Sequence, residues 1–347
     1  MSSQIGNRIT DHALTADDGH ALIARAILEI EREHGWRMVD PRPLFSGIYY
    51  DSTKVGSFIT RVTHDRGETA VLKLQLRPLP FDEGLIIRHV QKQIRSRHIR
   101  LPNIFFDEPW SEIRGYGYLV LEDLSHLPHL WATRPDEAAF ARHRTFLAEF
   151  VHNVLPIEPY LPTPQMTPKE KYRESCDHFS SIAKASRHHH VDIDEIEKMK
   201  EEYLRVLENV AFEGIHFTHG HLSGHEIVEG RETDSFILFA NLYWSFRPTY
   251  YEVVFPLWVD LMGIRDRHVS QDDLTNRIGR WIQLWIEIEA VDLREKPSFW
   301  FSMLERSMMT VMLDLGASEW KDSEVKEKQA LLMAWKNLFY WILTEKF

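Results

Sequence analysis

Lys73 lies within the apolar alternation Thr69-Ala70-Val71-Leu72-Lys73-Leu74-Gln75-Leu76. An ammonium in such a strand must reach solvent, a cleft or a partner charge, because burying it alone is costly. A lysine on the outward face of a strand meets that need as well as a ligand-binding one does. Glu83 opens the next apolar-periodic stretch, where a carboxylate gains from a helix N-terminus whether or not it has a further role. Glu122 and Asp123 end the apolar run Leu119-Val120-Leu121, an edge that could present backbone groups to a planar ligand or simply carry two solvated acids. The densest chemistry is in His216-Phe217-Thr218-His219-Gly220-His221-Leu222-Ser223-Gly224-His225-Glu226, followed by Asn241 at the end of the apolar piece Phe236-Ile237-Leu238-Phe239-Ala240. A turn rich in His and Glu, paired with a strand ending in a carboxamide, has the donors for a phosphate and metal site.

The histidines also admit a different chemistry. His216, His219, His221 and His225 include a His-x-His pair, a spacing that can ligate zinc or a similar ion in a hydrolase. No cysteine or carboxylate cluster completes a zinc set nearby in the sequence. The run His188-His189-His190 sits in a polar stretch between two helical patterns and reads as a solvated loop.

These residues need elements to position them. Residues 19–35 carry apolar residues at spacings of three and four with Gly35 as a stop, which predicts an amphipathic helix. Alternating stretches at 56–63 and 69–76, joined by His64-Asp65-Arg66-Gly67-Glu68, predict a hairpin. Pro78 and Pro80 end it, and 83–97 reads as a helix. Residues 101–109 and 116–124 predict two more strands. From about Glu137 the period changes: 137–154, 168–186 and 192–210 read as helices, the last capped by Asp192. A compact strand-turn region spans 215–246. Three helical segments follow at 270–290, 297–315 and 323–345, with Trp281, Trp285, Trp335 and Trp341 at core-like spacings.

The 347 residues, 44% of them hydrophobic, exceed the usual single-domain size, so two domains or lobes around a cleft are expected. A net charge of −11 argues against nucleic-acid or anionic-membrane binding and would suit a cationic small-molecule ligand. The single cysteine, Cys176, rules out an internal disulfide and fits a reducing cytoplasm. No signal-peptide pattern or membrane-length apolar run appears; Phe255-Pro256-Leu257-Trp258-Val259 is too short and is followed by Asp260. A strand-rich first third before a helical remainder gives an α+β fold class with two unequal lobes.

At this point a family resemblance emerges. His219 to Val228 resembles the catalytic loop of aminoglycoside phosphotransferases and choline-kinase-like enzymes, His-Gly-Asp-Leu-His-Pro-x-Asn-Ile-Leu, and His221 to Glu226 keeps the kinase spacing of five. Ala70-Val71-Leu72-Lys73 is similar to the strand bearing that family's phosphate-binding lysine, and the stretch from Glu83 to its ion-pairing helix. Tyr118 to Leu124 resembles the hinge that receives adenine, so Glu122 joins Lys73 and Glu83 in the nucleotide-binding set. Phe239-Ala240-Asn241-Leu242 resembles the segment whose aspartate holds magnesium, and Tyr250 to Val253 the stretch after it. The matches occur in the family's order across roughly 45–260.

The resemblance implies a two-lobed protein-kinase-like fold, with an antiparallel-sheet lobe over 1–123 and a helical lobe over 124–347 that carries the catalytic-loop-like segment 216–246. It implies ATP or another nucleotide, with Mg2+, as cofactors. Three departures qualify it. His221 stands where the family has its catalytic aspartate, Glu226 replaces the metal-binding asparagine, and Asn241 replaces the metal-binding aspartate. The phosphate-covering loop is represented by Ser52 to Ser57, with one glycine. Phosphoryl transfer rests on positioning and on neutralising charge through the metal. Changes at all of these positions favour a pseudokinase-like binder of a nucleotide or small molecule. The alternatives are an active kinase acting on a hydroxyl group, with His221 as base and Glu226 and Asn241 holding metal, and a histidine-metal hydrolase.

Overall fold

The computed structural model describes residues 14–39, 45–46, 54–78, 82–131, 134–160, 166–230, 232 and 235–347. Ser52 and Thr53 of the expected phosphate loop, and Pro80, lie outside the described residues. A short strand β1 (Leu14–Thr15) leads into helix α1 (Ala16–His34). Thr15 caps that helix by accepting from the Asp18 N–H, acids occupy its first turn, and Gly35 closes it with φ of 70°. Each device satisfies end groups or opposes the helix dipole, and the positive φ is one that glycine adopts at no steric cost.

Beyond it come β2 (Trp36–Met38), β3 (Phe45–Ser46), β4 (Lys54–Val55), β5 (Ser57–His64) and β6 (Thr69–Gln75). Then follow α2 (Glu83–Gln91), β7 (Ile99–Arg100), β8 (Ile104–Ser111) and β9 (Tyr116–Glu122). A six-stranded antiparallel sheet runs β2-β5-β6-β9-β8, with β3 also on β5. The period of two in β6 sends Ala70, Leu72 and Leu74 into a core shared with Ile23, Ala26 and Ile30 of α1. Lys73 therefore emerges on the opposite face, in register with Ile59 on β5 and Leu119 on β9.

The helical part begins with α3 (Glu137–Asn153), α4 (Pro168–Ala185) and α5 (Ile193–Asn209). Two small sheets interrupt it. β10 (Ile215–His219) pairs with β13 (Trp244–Pro248), and β11 (Ile227–Glu229) pairs with β12 (Phe236–Leu238), which also runs parallel to β7. Helices α6 (Tyr251–Met262), α7 (Gln271–Glu289), α8 (Pro297–Met309) and α9 (Val325–Lys346) complete the chain. Trp281, Trp285 and Trp335 are buried among these helices. This larger core also takes in Ile86, Ile87 and Val90 of α2, together with Leu119, so α2 bridges the sheet and the helices.

Three elements differ from expectation. The helix expected over 83–97 stops at Gln91. The segment expected over 297–315 is α-helical to Met309 and then widens into a π-type turn over Thr310–Leu315. Helix α6 carried no periodic signal and contains Pro256; it is apolar nearly all round because nine of its residues are buried. A helix buried on every side has no stripe to read.

The fold is thus α+β and two-lobed, a small antiparallel sheet followed by a larger, mainly helical part. Among the described residues no helix is long and apolar enough to cross a membrane.

Candidate functional site

The lysine on the open face of β6 meets the first carboxylate of α2: the Lys73 ammonium pairs with Glu83, at side-chain exposures of 18% and 7%. Asp82 caps α2 by accepting from the Leu85 N–H, which fixes where Glu83 points. Arg88 on the same helix forms a two-pronged pair with Asp107 of β8, at 2.6 and 2.5 Å, tying the helix to the sheet. Helix α2 in turn packs on the short 3-10 turn Asn241–Tyr243. Gly56, Lys73, Glu83 and Leu242 help line a pocket of about 80 Å3 at this junction. That is well below the roughly 300 Å3 at which ligand sites usually begin.

Beyond the turn, the β10–β11 connection holds the histidines. His219 is fully buried, and burial, aided by the neighbouring His221, pushes its imidazole down to about 3. His221 lies flat on Tyr243, with ring centres 3.8 Å apart and 10° between planes, and against Phe255 at 3.9 Å. Its Nδ1 is 2.8 Å from Glu226 Oε1, and the Ser223 hydroxyl donates to the other oxygen of Glu226. Burial would raise the Glu226 carboxyl, but the hydrogen bonds from His221 and Ser223 hold it below its ordinary value. Glu226 is therefore ionised at neutral pH, so the His221 Nδ1 carries the proton and its Nε2 holds the lone pair. Burial pushes His221 below its usual value; Glu226 opposes this, while Arg306 and Arg247 reinforce it.

Both arginines stand close to the loop. Arg247 lies over the Tyr251 ring at 4.6 Å, and a Cβ on Gly220 would fall 2.7 Å from its Nε, so a side chain there would push the guanidinium aside. Arg306, 7% exposed, pairs with buried Glu305 at 2.8 Å and lies 5.6 Å from the Phe255 ring. On the far side, Gly224 is covered by Trp131, whose indole N–H donates to Nδ1 of buried His143 at 2.9 Å.

The structure brings Lys73, Glu83, His221 and Glu226 to one region. Tyr243 marks the crossing, since its phenol, pushed up to about 12 chiefly by burial, also feels the charges of Glu226 and Glu83. Asn241 and Glu122 are placed differently. Asn241 is 1% exposed, its oxygen accepting from the Trp244 indole at 3.0 Å and its amide donating to the Leu238 carbonyl at 3.3 Å. Glu122 takes a forked pair of 2.7 Å bonds from Arg100, and Asn103 donates to it as well. It stands three strand positions beyond Leu119, the partner of Lys73, or about 10 Å along β9.

Magnesium needs a near-octahedral shell of oxygen donors. Here the Asn241 oxygen accepts from an indole, and both Glu226 oxygens are hydrogen-bonded within the chain. As arranged, these two residues do not form that shell. Nor do the histidines converge: His216 pairs with buried Glu252, and His225 packs edge-on to Trp131. Among the described residues no group of three or more His, Cys, Asp or Glu side chains could hold a metal. His188, His189 and His190 are exposed, with His190 stacked on Trp320 at 3.6 Å. Sequence reading missed Tyr243, Arg247 and Arg306; the first two follow Asn241 closely in the chain, but nothing local marks Arg306.

No protein-family model matches the chain, and no curated protein matches it by sequence. Solved structures do. One is spectinomycin phosphotransferase APH(9)-Ia in complex with ADP and spectinomycin, at 11% identity over 92% of this chain and 96% of that one, with a TM-score of 0.53. Another is amicoumacin kinase hAmiN in complex with AMP-PNP, Ca2+ and Ami, at 12% identity over 95% of this chain and 96% of that one, with a TM-score of 0.58. The chain has the fold of these phosphotransferases along nearly its whole length.

Proposed function

We propose that this chain is a phosphotransferase-like binder of a nucleotide or small molecule that does not carry out rapid phosphoryl transfer, with residues 1–123 and 124–347 as its two lobes. One observation carries the reading: the three positions that the resemblance assigns to base and metal are bonded to one another or sealed in the core. His221 is held by Glu226, Glu226 also by Ser223, and Asn241 by Trp244 and Leu238. In contrast, the Lys73–Glu83 pair is in place and faces the junction of the lobes. In this reading Lys73 and Glu83 keep the phosphate-gripping role that the resemblance implies, while the groups that would neutralise transferring charge are engaged within the chain. The fold neighbours named above hold ADP or AMP-PNP, which supports a nucleotide as ligand. The surplus of acid over the whole chain would suit a cationic ligand, but the charges beside His221 include Arg247 and Arg306, which favour a neutral or anionic one.

A second reading rests on the His221–Glu226 bond itself. A carboxylate holding Nδ1–H leaves Nε2 as a base, and His221 keeps 28% of its side chain exposed. In that reading His221 accepts the proton of a substrate hydroxyl, as an active small-molecule kinase requires.

Calorimetry with ATP, with and without magnesium, alongside phosphate-transfer assays on small alcohols, separates the two. The expected result is ATP binding that changes little with magnesium, is markedly weakened in Lys73→Met, and is accompanied by no measurable transfer. Magnesium-dependent transfer at ordinary enzyme rates, abolished in His221→Ala, would sink the first reading and establish the second.

A further inference from the structure

A concavity larger than the one at the Lys73 junction is found elsewhere among the described residues. It lies where the end of α6, the connection 263–270 and the first half of α7 meet the segment around Arg134, and it encloses about 450 Å3. That volume is within the usual range for small-molecule sites. Its lining carries four arginines, Arg134, Arg265, Arg277 and Arg280, and no lysine. The two acids in the lining are Asp266 and Asp273; Asp260 and Glu137, outside the lining, pair with Arg134, Arg277 and Arg280, which leaves Arg265 as the lining arginine with no ion pair among the described residues. In a chain of net charge −11 a lining with four arginines and no lysine stands out.

Both acids of the lining are engaged locally. Asp273 accepts from the Ser270 amide and hydroxyl, at 2.8 and 2.7 Å, as half of the α7 capping box, and Asp266 accepts from the His268 N–H at 2.9 Å. The arginines are held from beneath. Arg277 makes a forked pair with fully buried Asp260, at 2.7 and 3.0 Å, and the Trp281 indole donates to the same carboxylate at 2.8 Å. Arg134 approaches Asp260 at 3.8 Å, so two guanidinium groups share one carboxylate. Arg280 is braced over the Phe140 ring at 3.8 Å and pairs with exposed Glu137 at 2.6 Å. Arg265 donates to the Met262 and Ile264 carbonyls, and among the described residues no carboxylate lies within ion-pair distance of it. Ile264 and Val269, both nearly buried, give the hollow an apolar wall.

We infer that this hollow is a second ligand site, distinct from the Lys73 junction, for a small molecule carrying a phosphate or polyphosphate group. Planar guanidinium forks present paired donors to oxyanions, and guanidinium groups already fixed by Asp260 and Phe140 lose little freedom on binding. The site is independent of whether the chain transfers phosphate.

Pyrophosphate is the probe, titrated calorimetrically into the full-length protein, with succinate as the carboxylate comparison. One equivalent of pyrophosphate is expected to bind, more weakly at about 200 mM salt than at about 50 mM, because exposed charges are screened. The double variant Arg265→Gln/Arg280→Gln is expected to lose affinity by about tenfold or more, and the equivalent bound at the hollow is expected to persist in Lys73→Ala, which removes the phosphate contact of the Lys73 junction. Asp266→Asn, which removes a negative charge from the lining, is expected to tighten binding and serves as the second test should the double variant melt early. Absence of binding, affinity unmoved by the arginine changes, or loss of binding in Lys73→Ala would each overturn the assignment. Succinate binding more tightly than pyrophosphate would overturn the phosphate class.

Discussion

At the scale of single residues, the His221–Glu226 contact decides how the site is read. A neutral imidazole donating from Nδ1 to an ionised carboxylate is a stable arrangement in a half-buried loop, since each group satisfies the other. Glu226 is the partner that raises His221, against burial and the two arginines. Replacing it by glutamine is therefore expected to lower the His221 titration point further, and an NMR titration of the imidazole protons checks this. A rise would show that the pair does not form in solution. That Lys73 and Glu83 deserved notice was legible from a charge inside an apolar strand and an acid at a helix start. That they pair was not, because the two residues reach each other only after α2 folds back across the sheet.

At the scale of elements, the helical part depends on buried polar ties as well as apolar packing. Asp260 at the end of α6 joins Arg277 and Trp281 of α7, and no water-exposed surface is left on it. Removing one partner of such a pair leaves an uncompensated buried charge. Asp260→Ala is expected to destabilise the protein by about 3–5 kcal/mol in urea unfolding, far more than loss of an exposed pair such as Arg294–Asp292. A loss below about 1 kcal/mol would show that water reaches Arg277 freely. The amphipathic elements, α1, α5 and the β5–β6 hairpin, were legible because one face is buried and the other is wet. Helix α6 was not, since its surroundings are apolar on every side and Pro256 argues against a helix in isolation.

At the scale of the whole molecule, the buried histidines set the response to acid. Fully buried His143 and His219 each titrate at about 3, burial being the main cause. Unfolded, they would titrate near about 6.5, so below that pH the unfolded chain binds protons that the native state refuses. Their contribution to stability is present above about 6.5 and falls as pH drops, together by roughly 2–3 kcal/mol per pH unit before other groups act. Asp314, whose carboxyl burial pushes up to about 7, and His216, raised by Glu252 against its burial, act in the opposite sense and offset part of this. Urea midpoints should therefore fall between about pH 7 and pH 5; a flat profile would mean that these imidazoles are hydrated in solution. The amino-acid sequence alone determined most of the succession of strands and helices, α6 excepted, and the ordered motifs that pointed to a kinase-like, two-lobed fold, because periodicity and motif order are local and cumulative. Only the tertiary structure decided that Asn241 is sealed by Trp244, that Glu226 is held by His221 and Ser223, and that four arginines from three segments share one hollow. Those outcomes depend on which groups become neighbours and lose water, a property of packing that no spacing along the chain encodes.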